Sequence, residues 1–220
     1  MEYPILDGAL EVRARGNRRV LSGRFPYRKT ATVRSAGRTR KERFASGSMY
    51  WQVREFEKLQ GEMAKVIASA LDKATKAKRL EALEDALEKR NTFLLTGHDY
   101  NRTLADMRTG TLAVAHTREA VELEATLPPE GEGPSWVEDA VRAVRGGQLR
   151  GISPGFAVPA GKGGERLVRE DGPGDALVRE ILDCVVFEYS LVARPAYAET
   201  TVDARAYAAT LVDRRRRVWL

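Results

Sequence analysis

The sequence predicts an α+β protein: a mainly antiparallel β-sheet or β-barrel core with surrounding helices, one of them a long inserted helix. Three observations lead there. Short alternating apolar runs bounded by Gly, Pro and Asn recur before residue 50 and again after residue 90. Residues 50–90 between them hold no proline and one glycine, with apolar side chains at helical spacing. The later runs lack the strand–helix alternation of a parallel βαβ sheet. The chain divides accordingly into N-terminal strands and a loop (1–52), a helical insertion (53–90), a second strand-rich part (91–203) and a basic C-terminal tail (204–220).

Residues 9–34 read as extended structure: Leu10, Val12 and Ala14 alternate with charged neighbours, Gly16-Asn17 offers a turn, and Val20, Leu21, Phe25 and Tyr27 follow. A loop from Lys41 to Met49 carries Ser48 as a candidate helix cap. Phe56, Leu59, Met63, Val66, Ile67, Ala70, Leu71 and Ala74 then recur at helical spacing, and Leu80, Leu83 and Leu87 continue with a phase shift near Lys76-Ala77-Lys78. One long helix or two in series fits. Unbroken, it would extend about 50–60 Å, too long to lie wholly on a small domain, so it either pairs with a partner helix or folds back on its own.

Strands return at Asn91–Thr96, ending in Gly97-His98-Asp99. A hairpin around Thr117-Arg118-Glu119 joins Gly110–His116 to Ala120–Leu127. Pro128–Pro134 is a loop by composition, and Ser135-Trp136-Val137-Glu138 opens a helix with a capping-box pattern that should stop at Gly146-Gly147. A strand beginning near Gly151 follows. Gly161–Gly174 reads as a mobile loop, Leu177–Val192 as a long strand or bent strand pair, and Thr200–Leu220 as helical.

At 220 residues, 43% hydrophobic and 31% charged, the chain is that of one globular domain with an elaboration, neither disordered nor membrane-embedded. No apolar run approaches the ~18 residues of a membrane helix. The N-terminus lacks a basic-then-apolar signal, so the expected compartment is the cytoplasm. The single cysteine, Cys184, fits a reducing compartment and sits among apolar neighbours, as a packed residue does. The net charge of +6 is uneven. From Arg13 to Arg43 the chain carries Arg15, Arg18, Arg19, Arg24, Arg28, Lys29, Arg34, Arg38, Arg40 and Lys41 against a lone Glu42, and Arg214–Arg217 form a second basic run. Such a patch is either a solvated face or a contact for nucleic acid or an acidic partner.

With two histidines and one cysteine, no metal-ligand cluster of the usual spacing exists; no cofactor or metal is expected, and any catalysis must use serine, histidine and carboxylates. In Gly151-Ile152-Ser153-Pro154-Gly155 a hydroxyl stands between glycines that strip away side-chain bulk. A nucleophile needs that setting, and a plain turn into a strand looks the same. The segment satisfies the G-x-S-x-G pattern of an α/β-hydrolase elbow, but the context is reversed, with a helix before and a strand after. The elbow also uses the N–H after the nucleophile, and Pro154 has none. That reading fails. A serine nucleophile would still need a base. His98, at a strand end beside Gly97, can project from a sheet rim, whereas His116 shares a face with Leu112 and Val114 and looks packed. Candidates to orient the imidazole are Asp99, Asp183, Glu188 and His116. Asp99 is adjacent to His98, and strand neighbours point to opposite faces. Glu188 lies on an otherwise apolar strand, where a buried carboxylate costs several kcal/mol without a partner; otherwise it faces water at the rim.

Together these pieces resemble the tailed-phage prohead (capsid maturation) serine proteases, relatives of the herpesvirus assemblin fold. The matching segments, in order, are Gly23-Arg24-Phe25, Glu42–Met49, Leu94–Asp99, Gly110-Thr111-Leu112, Gly151–Phe156 and Phe187–Ala196. No single segment is specific; their order is. The resemblance implies Ser153 as nucleophile and His98 as base. It implies Glu188 as the third member through the family's E-x-S-x-V segment, with His116 as the alternative because herpesvirus relatives use a second histidine. It further implies a serine endopeptidase that cleaves the scaffolding segment of the major capsid protein, and itself, inside the assembling prohead in the host cytoplasm. Self-association and DNA contact through the basic patch are expected, and no membrane contact. Residues 53–90 depart from the family, whose connection is shorter; they would be a scaffold-binding arm, an autocleaved segment or a dimer element. A rival class is a non-catalytic internal capsid scaffold or nucleic-acid-binding protein, and a third is an inactive processed form.

Overall fold

The computed structural model describes residues 13–15, 18–35, 38–159, 163–169, 177–195 and 201–203. It is α+β, with three helices among the described residues and strands in three sheets. In the first sheet β1 (Arg13–Arg15) and β2 (Arg18–Pro26) form an antiparallel hairpin, and β7 (Leu112–His116) and β8 (Ala120–Leu127) another, giving the order β1-β2-β8-β7. The Gly16-Asn17 turn itself lies outside the described residues. The second sheet runs β10 (Glu165–Arg169), β11 (Leu177–Ile181), β4 (Arg38–Phe44), β3 (Ala31–Ser35). The third runs β6 (Asp99–Asp106), β5 (Phe93–Thr96), β12 (Val185–Val192), β9 (Gly151–Ala157).

No closed barrel forms among the described residues, since each sheet ends in two different terminal strands. Nor is the pairing wholly antiparallel: β11 runs parallel to β4, and β12 parallel to β5. These are pairings between strands distant in sequence, which alternation cannot reveal. The glycine- and charge-rich stretch expected to be a mobile loop contains β10, antiparallel to β11. Residues 201–203, expected to be helical, form β13 (Thr201–Asp203) against β2; the rest of the tail lies outside the described residues.

The long helix is two helices. Helix α1 (Tyr50–Ala68) ends where Ser69 turns to ψ 156°, and Asp72 starts α2 (Lys73–Glu88) by accepting from the N–H groups of Ala74 and Thr75. The apolar spacing through Ala70 and Leu71 masks this break; the N-capping aspartate marks it. Lys76 Nζ donates to the carbonyls of Ile67 and Ser69, satisfying the end of α1. The result is a helical hairpin anchored at its base, where Gln52, Val53 and Phe56 of α1 and Leu87 of α2 are buried. Arg90 stacks over Trp51 at 5.2 Å.

Two expected caps do not form. The Ser48 hydroxyl is buried without a hydrogen-bond partner among the described residues, while its carbonyl accepts from Cys184 N–H at 2.9 Å. In α3 (Ser135–Arg145) Ser135 is already helical after Pro134, and Glu138 turns to Arg19 instead. The helix does stop at Gly146-Gly147, with Gly147 at φ 70°.

One continuous apolar core joins the sheets to the helices. Phe44, fully buried, packs edge-on against Phe25 (5.5 Å between centroids) and Phe156 (4.9 Å). Burying such a ring contributes about 2–3 kcal/mol. Because Phe156 belongs to β9, this contact also fixes the strand that carries Ser153. Cys184 is completely buried, and burial pushes its thiol up to about 12, as suits a packed residue.

Candidate active site

The third sheet builds the site. Strands β5 and β6 are joined by Gly97 and His98, with φ 65° and 62°. Positive φ at both positions of a two-residue loop is the hairpin geometry whose twist matches the strands. For histidine this left-handed conformation is strained and must be held by its surroundings. Two bonds to β12 hold it: Gly97 N–H donates to Leu191 O at 3.0 Å, and His98 N–H donates to Ser190 Oγ at 2.9 Å.

The imidazole, about half exposed, leans back over β12, where Nδ1 lies 2.7 Å from Glu188 Oε1. An ionised carboxylate only accepts, so Nδ1 carries the proton and Nε2 is left as the basic nitrogen. Glu188 is 4% exposed. Its second oxygen accepts from Ser190 Oγ at 2.6 Å. The fully buried Ser190 hydroxyl therefore accepts from the His98 backbone and donates to the Glu188 carboxylate, tying base and carboxylate to one point. Tyr100, packed edge-on against Phe93 at 5.6 Å, stands beside this pair; burial pushes its phenol up, and the nearby Glu188 charge adds to the effect.

Ser153 comes from β9, antiparallel to β12 and in register with Ser190; Gly155 is opposite Glu188. A side chain on Gly155 would collide with the Glu188 carboxylate, so Gly155 and Glu188 share a face of the sheet. Alternation puts Ser153 on that face too, one strand away from the His98–Glu188 pair, while Ile152, 1% exposed, points into the core. Helix α3 precedes β9 and, among the described residues, no helix follows it, the reverse of a hydrolase elbow.

Of the third-member candidates, Glu188 is the one bonded to His98. His116 lies in the first sheet, where Nδ1 meets Tyr27 Oη at 2.7 Å and the ring packs against Tyr27 and Tyr50. Burial drives its pKa down to about 4, so it is neutral at pH 7, and its Nε2 has no partner among the described residues. Asp99 instead accepts from the backbone and side chain of Asn101. The sequence left Ser190 without a role, although the spacing Glu188-x-Ser190 on a strand already puts both side chains on one face. Among the described residues no three His, Cys, Asp or Glu side chains are grouped to hold a metal ion.

No curated relative and no solved structure matches the chain significantly. A family model described as caudovirus prohead serine protease matches residues 56–214. With that match covering most of the chain, including the Ser153, His98 and Glu188 segments, the protein belongs to the caudovirus prohead serine protease family.

Proposed function

We propose that Ser153, His98 and Glu188 form the catalytic triad of a prohead maturation endopeptidase. The observation that carries this is the 2.7 Å His98 Nδ1–Glu188 Oε1 contact, one strand from Ser153 on a shared face. Glu188 fixes the tautomer and stabilises the imidazolium that forms. His98 Nε2 takes the Ser153 Oγ proton as the oxygen attacks the peptide carbonyl, then returns it to the leaving amine. Water, activated by the same nitrogen, hydrolyses the acyl-enzyme and restores Ser153.

The substrate is the scaffolding segment of the cognate capsid protein, with self-cleavage at the enzyme's own tail, inside the assembling prohead in the host cell. Family membership supports a protease over a non-catalytic scaffold. The ion pairs bear on DNA binding as well. Within the basic N-terminal patch Arg19 pairs with Glu138, Arg24 with Glu119, Arg40 with Glu42, and Arg43 with Glu180. Part of the patch is thus neutralised within the chain, which favours a solvated, structural role; any DNA contact should show a shallow salt dependence. The decisive experiment is co-expression of wild type or Ser153→Ala with the cognate capsid protein, followed by mass spectrometry of the fragments. Processing should vanish in the variant while the protein stays folded. Persistent processing would remove Ser153 as nucleophile.

A further inference from the structure

Taking Ser153 as the nucleophile, as proposed above, we infer that Phe187 is a specificity-determining residue: it receives a large apolar side chain of the substrate, two to four residues from the bond that is cut.

Phe187 owes its position to a bulge. On β12 Val186 pairs with Phe156 and Glu188 with Gly155, which leaves Phe187 as the extra residue. Bulges re-aim a side chain and are common beside active sites. Burial gives the direction. Val186 and Tyr189, each 1% exposed, point into the core, and Glu188 shares its face of the sheet with Gly155. Phe187 is 44% exposed, so Phe187 and Glu188 leave the core in succession. Regular alternation would have buried one of the two. The ring therefore lies on the face that carries Ser153.

Across from it β9 leaves room. Gly155 has no side chain and the exposed Ala157 only a methyl, and alternation puts both on the Ser153 face. They lie two and four residues beyond Ser153, about 7 and 13 Å along the strand. An extended peptide that presents its carbonyl to Ser153 and runs along this face brings a side chain two to four residues away against the Phe187 ring.

Charge chooses the kind of side chain. An aromatic ring beside a carboxylate would suit a cation as well. Both oxygens of Glu188 are engaged, however, one by His98 Nδ1 and the other by Ser190 Oγ. No counter-charge is left for a Lys or Arg, and the imidazolium formed during the reaction repels one. Tyr100, 55% exposed and edge-on to Phe93, adds aromatic surface on the other side of Glu188. An apolar side chain buries ring area without any charge to desolvate.

The test digests a mixture of synthetic peptides of varied sequence with the full chain and reads the cut sites by mass spectrometry. Wild type, Ser153→Ala, Phe187→Ser, Phe187→Leu and Ile67→Ser are compared. Wild-type cuts should be enriched in Leu, Ile, Met, Phe or Tyr at one position two to four residues from the bond. Phe187→Ser should lose that enrichment, and its kcat/KM on a peptide with Leu at that position should fall about tenfold, with the matched Ala peptide cut as before. Phe187→Leu should keep the preference. So should Ile67→Ser, an equally exposed apolar residue at the far end of α1. Ser153-dependent cutting with no apolar preference there, a preference for Lys, Arg or acidic residues, or an unchanged profile in Phe187→Ser would overturn the subsite alone. Cutting that survives in Ser153→Ala, or a wild type that cuts none of the peptides, would overturn the triad reading and the subsite with it.

Discussion

The Glu188 carboxylate occupies the space that a side chain on residue 155 would need. A Cβ built on Gly155 comes within 2.8 Å of Glu188 Cδ and closer still to Oε1. The second glycine of the Gly-Ile-Ser-Pro-Gly segment therefore exists to let a carboxylate lie flat against the neighbouring strand, with no part in a turn. Gly155→Ala should displace Glu188 from His98 while leaving the apolar core intact. A misplacement of about 1 Å in such a constellation costs about 10²-fold in rate. Turnover on a capsid-derived peptide should fall by that order with little change in KM; near-normal turnover would show that the Glu188 position is irrelevant to catalysis.

In the proposed triad Ser190 holds both His98 and Glu188, accepting from the His98 N–H and donating to the Glu188 carboxylate. Ser190→Ala leaves one Glu188 oxygen and the strained His98 N–H without their partner, each loss costing about 1–3 kcal/mol in a buried setting. We expect kcat to fall roughly tenfold or more, KM to change little, and the pH–rate profile to change shape. Ser190→Thr keeps the hydroxyl and should restore part of the rate. If Ser190→Ala lowers melting temperature but leaves kcat and its pH profile untouched, the role is structural only.

Glu188→Gln and His116→Ala separate the two third-member candidates. Glutamine in place of Glu188 can present an amide N–H to Nδ1 and favours the wrong tautomer, so kcat should drop by about 10²–10⁴-fold. His116, bonded to Tyr27 in another sheet, should be replaceable with a stability loss but near-normal turnover of the folded fraction. The reverse result would exchange the assignments.

Much of this site was legible because its parts are local signals. Gly97-His98 marks a strand end, Gly151–Gly155 an uncluttered serine, and Glu188 a carboxylate on an apolar strand that must have a partner. What the sequence could not show was how distant strands meet. The parallel pairing of β12 with β5 brings Glu188 beside the His98 turn across about 90 residues, and no local pattern encodes it. The helix break was hidden for a different reason. Ala70 and Leu71 keep the apolar spacing while Asp72, one polar residue, overrides it by capping a new helix. Ser135-x-x-Glu138 misled in the same way, since a buried arginine outside the helix offers Glu138 a stronger partner than its own N-cap.

His116 predicts acid sensitivity. Folded, it releases its proton near pH 4, and unfolded near 6.5. Between those values the unfolded chain holds more protons, so stability is full above pH 6.5 and declines as the pH falls toward 4. By pH 5 the decline from this residue should be on the order of 2 kcal/mol. Urea unfolding of the Ser153→Ala protein at pH 7.5 and pH 5 measures it, and His116→Gln should flatten the difference. An equal decline in that variant would assign the effect to other groups.

Arg19 predicts where the fold is most easily undone by a polar change. It is 5% exposed on β2, and its guanidinium grips Glu138 of α3 through two nitrogens at 2.9 and 2.6 Å while donating to the Pro128 carbonyl at 2.9 Å. That contact holds Glu138 below the usual carboxylate range. Glu138→Gln leaves a buried cation without its counter-charge, at a cost of about 3 kcal/mol, or roughly 6–12 °C in melting temperature for a chain of this size. Arg19→Met combined with Glu138→Leu removes both charges together and should recover most of that loss, because no buried ion is left unpaired. Differential scanning calorimetry of the three proteins decides it: a double variant no better than Glu138→Gln would mean that packing, not charge, docks α3 onto β2.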